Sequence, residues 1–150
     1  MSLENLLKIE KLKEHPADAE EIERLVVAAR RNIHDAQVTS ISPETRFDAA
    51  YKAIMQSGLA ALMMHGYRPD TNRPGHHMTV VQSLPLTVGL DQKGVVVLDA
   101  LRRKRNVADY TGDDVDESSV RACVEHAKGL LDHVLEWRRK HRPELVPKGS

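Results

Sequence analysis

Apolar residues recur along this chain with the three- to four-residue period of amphipathic α-helices. Two segments show the pattern most clearly, one near the N-terminus and one before Pro143, at positions Ile22, Leu25, Val26, Ala29, Ile33, Val120, Cys123, Val124, Ala127, Leu130, Leu131, Val134 and Leu135. Charged and polar residues fill much of the remaining surface, as on a helix face in water. We therefore expect both segments to pack one face into a helical bundle.

Capping residues, glycines and prolines predict where the helices begin and end. Three helix starts are recognisable from an N-cap residue with a following acid or proline: Asp18 with Glu21, Ser42 with Pro43, and Asp114 with Glu117. Pro16 is expected to follow a first helix over residues 3–14, and Gly66 to end the helix that begins at Pro43. The alanines and the glycine within that helix should let another helix approach closely.

The middle of the chain is less regular. Residues 67–75 contain two prolines and no periodicity, which predicts a loop. Pro85 should kink or end the apolar element that starts at His76. Residues 95–97 are three valines and favour a strand locally, but the element from Gln92 to Arg105 is longer than a typical strand, so we predict a helix.

Together these elements predict an all-α fold, an up-and-down bundle of five to six helices. We expect one domain over residues 1–144. Residues 145–150 resemble the remnant of a protease-cleavage site and are predicted to be a disordered or added tail.

Composition narrows the possible classes of function. The 150 residues include 22 basic and 22 acidic side chains, so the chain is not a generally basic nucleic-acid binder. A single cysteine, Cys123, excludes an internal disulfide, fits a reducing compartment and is expected to be a buried, inert thiol. No apolar run approaches the roughly 20 residues of a membrane span. We therefore predict a cytoplasmic protein with no membrane partner.

The strongest chemical signal is the segment Leu101-Arg-Arg-Lys-Arg-Asn-Val-Ala-Asp-Tyr110. Arginine grips phosphate oxygens with a forked pair of donors, and asparagine can assist. One interpretation is therefore a phosphate site that uses Arg105 and Asn106. The other is structural: Arg105 and Asp109 are four residues apart and can form an ion pair, while Tyr110 packs on the end of the bundle.

This segment resembles the signature of the small HEPN domains of prokaryotes. These helical bundles are often encoded beside nucleotidyltransferases or in toxin–antitoxin pairs. Similar short segments follow in the family's order through most of the chain, at residues 47–53, 62–67, 75–77 and 127–134. The resemblance implies a HEPN-like bundle and a homodimer.

Active HEPN ribonucleases carry an arginine, often a polar residue after it, and a histidine a few residues later, and two such motifs meet across the dimer. Arg105 and Asn106 match the first two positions, whereas Tyr110 stands at the position of the histidine. Histidine exchanges protons near neutral pH, and tyrosine, with a pKa near 10, does so far less readily. The resemblance therefore supports the fold and the dimer more than it supports RNA cleavage.

Two functions remain open from the sequence. The first is a regulatory or binding module that holds RNA, a nucleotide or a partner protein, such as a nucleotidyltransferase or an antitoxin. Its groove would be lined by Arg105 and Asn106, with the binding candidates Arg105, Asp109, Arg102, His76 and His77. The second is a metal-independent RNA endonuclease with the catalytic candidates Arg105, Asn106 and Tyr110, in which Tyr110 or one histidine of the pair His76-His77 transfers the proton.

Neither function calls for a cofactor. His76 and His77, even together with His65, have no cysteine or acidic partner at the spacing of metal ligands. We therefore predict neither a cofactor nor a metal site.

Overall fold

The computed structural model describes residues 1–148 and has the architecture of a helical bundle. Within this range lie six α-helices: α1 Leu3–Lys8, α2 Ala19–Ala36, α3 Pro43–Met64, α4 His76–Val88, α5 Gln92–Thr111 and α6 Glu117–His141. Two short strands, β1 Leu12–Glu14 and β2 Tyr67–Pro69, and a 3₁₀ turn at Pro143–Leu145 complete the fold. The all-α class predicted from the sequence is confirmed.

Helix α3 is the central element and contacts α2, α4, α5 and α6. Its alanines and glycine keep the neighbouring backbones close, as predicted. One close contact is at Gly58, where a Cβ atom would lie 2.5 Å from Cγ1 of Val80 on α4. Helix packing at such a contact requires a residue without a side chain.

Helices α3 and α4 run in the same general direction, which departs from the predicted up-and-down order. The contacts between them advance together along both helices, from Tyr51 with His77, through Gly58 with Val80, to His65 with Thr87. Residues 65–75 make this possible because they return along the bundle before α4 begins.

The prediction of a first helix over residues 3–14 is wrong in its second half. Glu10 adopts a left-handed backbone conformation (φ 63°), which ends the helix, and Leu12–Glu14 then pairs antiparallel with Tyr67–Pro69. The same pairing corrects the prediction of a loop over residues 67–75, whose first three residues form β2. This strand pairing buries Leu12, which packs with Leu62 and Val80, and the burial of its apolar side chain stabilises the fold.

The end of α5 and the start of α6 differ from their predicted limits. Helix α5 is a helix, as predicted, but continues beyond Arg105 to Thr111 and ends at Gly112 in the left-handed conformation. The N-cap of α6 is Asp116 rather than Asp114. Glu117 accepts a hydrogen bond from the buried Arg46 (Nη1 to Oε1, 2.6 Å), and this pair joins α6 to α3.

Two further boundaries differ from the sequence predictions. Helix α4 passes through Pro85 and ends only at Val88. Leu145 is 6% exposed and belongs to the main core, so the fold extends one residue beyond the predicted limit at 144. Residues 149 and 150 of the predicted tail lie outside the described residues.

Among the helices within residues 1–148, none is both long and apolar enough to cross a membrane.

The close contact at Gly58 leads to a test of the packing. Replacing Gly58 with Ala forces the stiff side chain of Val80 to move, and we expect the free energy of unfolding to fall by about 1–2 kcal/mol, despite the higher helix propensity of alanine. Gly129 on α6 is the matched control, because a Cβ atom there meets nothing within 4 Å. Gly129→Ala should raise the free energy of unfolding by up to about 1 kcal/mol. Urea denaturation measures both; equal effects of the two substitutions would contradict the close packing.

Candidate functional site

A cleft of about 460 Å³ lies among α3, the start of α4, α5 and the segment that follows β2. One part of its wall is polar and is formed by Asp48, Tyr51, Lys52, His76, His77 and Arg105. The remaining part is mainly apolar and is formed by Met55, Leu59, Pro69 and Val80, with Gln56 and Thr71 beside them. A volume of this size is typical of sites that bind small molecules.

Tyr51 connects the polar residues of the cleft. Its hydroxyl oxygen is 3.0 Å from Nδ1 of His77, and the guanidinium carbon of Arg105 lies 5.3 Å from the centroid of its ring. The ring of His76 packs edge-on against that of His77, with centroids 4.6 Å apart. The arginine of the sequence motif and the histidine pair, which are far apart in the chain, therefore meet at one tyrosine.

Arg105 is also held by two carboxylates. Its Nε atom donates to Oδ1 of Asp48 at 3.2 Å and lies 3.1 Å from Oδ2 of Asp109. The Arg105–Asp109 ion pair expected from their spacing is thus present. Among residues 1–148, neither Nη atom of Arg105 donates a hydrogen bond to the protein. The forked end of the side chain therefore has no hydrogen-bond partner among these residues, while Asp48 and Asp109 offset the charge of the guanidinium.

Burial decides the protonation states around Tyr51. Burial raises the pKa of Tyr51 to about 12, although the positive charges of Arg105 and Arg102 oppose the change. The pKa of His77 is lowered, first by burial and then by His76 and the two arginines. At neutral pH the tyrosine is protonated and His77 is neutral. Tyr51 can then donate to Nδ1 of His77, which leaves the hydrogen on Nε2.

The structure separates the residues that the sequence motif grouped together. Arg105 lines the cleft, and Asp109 lines a second cavity on the other side of Arg105. Arg102 is half-buried in an ion pair with Asp99 (Nε to Oδ1, 2.9 Å) and acts on the cleft only through its charge. Of the catalytic trio predicted from the sequence, Arg105 lines this cleft, and Asn106 and Tyr110 do not.

Asn106 and Tyr110 are the two members of that trio outside the cleft. Asn106 is half-buried, and neither residue is part of the described cleft wall. Tyr110 is 93% exposed, so the prediction that it packs on the end of the bundle is wrong. The cause is the length of α5: because the helix continues to Thr111, Tyr110 lies on a solvent-facing side of it. His76 and His77, in contrast, both line the cleft.

The contribution of α3 to the cleft was missed in the sequence. Tyr51 is 2% exposed and belongs to the core, but its hydroxyl also orients His77. Asp48, Lys52 and Gln56 are successive residues at four-residue spacing, and Leu59 follows three residues later. This periodic stripe on an otherwise apolar helix was the available signal, because residues at such spacing share one helix face.

Cys123 is buried, as predicted, and burial raises the pKa of its thiol to about 12, which keeps it in the unreactive protonated form. Within residues 1–148, no group of three or more histidine, cysteine or acidic side chains is arranged to hold a metal ion.

No protein-family model, no curated protein and no solved structure matches this chain. The geometry of the cleft is therefore the basis for assigning a function, and the resemblance to HEPN domains stays a prediction.

The electrostatic arrangement predicts the titration of His77. We expect the midpoint of its ring proton resonances in NMR to lie below 6.5, and Arg105→Gln to raise it, because a nearby positive charge is removed. Arg103→Gln is the control: Arg103 is 73% exposed on the same helix and should leave the midpoint unchanged. Because the pKa is lower in the folded state, protonation of His77 favours the unfolded chain, so stability should fall as the pH drops through the interval below 6.5. A midpoint at or above 6.5 would contradict this picture.

Proposed function

We propose that the cleft binds a phosphate-bearing ligand, and that the protein is a HEPN-like binding or regulatory module for RNA or nucleotides in the cytoplasm. The observation that carries the proposal is the meeting of Arg105, Lys52 and His77 around one cleft of about 460 Å³. In this proposal Arg105 donates hydrogen bonds to the phosphate, Lys52 adds a positive charge, and His77 donates a hydrogen bond through Nε2.

Three physical features support an anion in this position. The Nη atoms of Arg105 are without partners among residues 1–148, and the stacking on Tyr51 holds the guanidinium in a defined orientation. His76 and His77 form the first turn of α4, where no side chain caps the helix. Backbone N–H groups at a helix start carry partial positive charge, which adds to that of the side chains.

Binding is favoured over cleavage by the protonation states in the cleft. Cleavage of RNA without a metal ion requires one group that takes a proton and another that gives one. With Nδ1 bonded to Tyr51 and the hydrogen on Nε2, His77 has no free ring nitrogen to take a proton. Tyr51, with a pKa of about 12, is a poor partner for either step at neutral pH, so cleavage would need the other tautomer of His77 and a second group such as His76. Tyr110, at the motif position, is outside the cleft wall.

The alternative function, a metal-independent RNA endonuclease, is favoured by one observation. His77 and Arg105 both contact Tyr51, so a histidine reaches the motif arginine through space although the motif itself lacks one. In this mechanism His77 takes the other tautomer, in which Nδ1–H donates to the Tyr51 hydroxyl oxygen and Nε2 is free to remove the proton of a ribose 2′-hydroxyl. The resulting oxygen attacks the phosphate, and Arg105 stabilises the developing charge. His76 in its protonated form would return a proton to the leaving 5′-oxygen.

The homodimer and the partner protein are also part of the proposal. A HEPN-like dimer would bring two copies of α5 together, and the exposed apolar side chains Val96, Val107 and Tyr110 on that helix would suit such a contact. A nucleotidyltransferase or an antitoxin would then bind to the dimer. The support for these partners is the sequence resemblance.

Binding is tested with a pool of short single-stranded RNAs and the full-length protein. We expect Arg105→Ala to weaken binding by about 10- to 100-fold, because a charge-assisted hydrogen-bond pair to phosphate is lost. Arg103→Ala removes the same charge from the same helix outside the cleft, and it should weaken binding much less. Equal losses in the two variants would indicate general attraction to the basic helix and contradict a site at Arg105.

Cleavage is tested with the same RNA pool in the presence of a metal chelator. Intact RNA with the wild-type protein, together with retained binding, is the outcome expected of a binding module. Cleavage that is lost in both His77→Gln and Arg105→Ala, but kept in Arg103→Ala, would instead establish the endonuclease and overturn the preference for binding.

A further inference from the structure

The apolar part of the cleft is continuous with the phosphate end. Its wall includes the half-buried Met55 and Leu59 of α3, together with the buried Val80 of α4 and Pro69 of β2. Along α3, Leu59 follows Lys52 by two helical turns, or about 10 Å at the rise of an α-helix. A phosphate ion held by Arg105 and Lys52 would leave this apolar wall in contact with water.

We infer that the apolar part is a subsite for one nucleobase, so that the unit recognised by the cleft is a nucleoside monophosphate. The inference rests on the proposed function, which supplies the phosphate end. A planar ring packed against Met55 and Leu59, which are half-buried, removes their remaining apolar surface from water, while the sugar spans the distance to Arg105. The thioether of Met55 adapts readily to the edge of an aromatic ring.

Gln56 gives this subsite a polar contact that discriminates among bases. Its Oε1 atom accepts a hydrogen bond from Nδ2 of Asn32 on α2 at 2.8 Å. That bond fixes the amide so that the Nε2 group is left to donate. Gln56 lines the cleft beside the apolar residues, so a ring with an acceptor on its edge can be bound there. The geometry thus assigns Gln56 as a specificity-determining residue.

The same unit can come from a free nucleotide or from RNA. In a single strand an unstacked base can turn out of the chain and enter a cleft, whereas a base within a duplex is paired and stacked. Mononucleotides or single strands should therefore bind to the cleft, and duplex RNA should bind weakly.

Isothermal titration of the full-length protein tests the subsite with inorganic phosphate, ribose 5-phosphate and the four nucleoside monophosphates. At least one nucleoside monophosphate should bind tenfold or more tightly than ribose 5-phosphate. Gln56→Leu should reduce the differences among the four nucleotides and leave the affinity for ribose 5-phosphate unchanged. Leu59→Ser should weaken nucleotide binding about tenfold. The control is Leu90→Ser, since Leu90 is also partly buried against the core but does not line the cleft.

The possible outcomes separate this inference from the proposed function. If ribose 5-phosphate and all nucleotides bind equally and through Arg105, the phosphate site stands and the base subsite is overturned. If no phosphate compound or RNA binds, both are overturned. Tighter binding of a mononucleotide than of a single-stranded trinucleotide supports a free nucleotide as the ligand, and the reverse supports RNA. Duplex RNA that binds as tightly as the single strand would overturn the subsite.

Discussion

The enclosure of α3 by four other helices is the constraint on which the rest of this structure depends. A helix covered on several faces must carry small residues wherever a neighbouring backbone comes near, and Gly58 against Val80 is the extreme case. At other positions the helix is left partly uncovered, so that Lys52, Met55 and Leu59 keep part of their surface exposed. One such position is the cleft, so the packing that stabilises the bundle also determines where a ligand can bind.

Tyr51 is the residue in which the core and the cleft meet. Burial of its ring stabilises the bundle and raises its pKa to about 12, so that it acts as a hydrogen-bond donor rather than as an acid or base at neutral pH. Its hydroxyl orients His77, and its ring supports Arg105. Two polar groups of the cleft, His77 and Arg105, are therefore held by a core residue, which restricts their motion.

The structure places Arg105 in the cleft without the other two residues of its sequence motif. A linear motif suggests that Arg105, Asn106 and Tyr110 act together, but α5 is helical throughout and presents them in different directions. Arg105 shares its cleft with residues of α3 and α4 instead. His77, from the start of α4, contacts the same tyrosine as Arg105. The proposed binding and the proposed cleavage would both depend on this histidine beside the arginine.

The sequence by itself determined the features that depend on neighbouring residues: the helical periods, the caps at Asp18 and Ser42, and the Arg105–Asp109 pair. It also identified Arg105, His76 and His77, because their chemistry is unusual for a core. Only the tertiary structure decided that α1 ends at Lys8, since the strand that replaces its second half is stabilised by Tyr67–Pro69, far along the chain. It likewise decided that Tyr51 joins His77 to Arg105. A contact among three distant residues depends on how helices pack, and the period of each helix alone does not contain that information.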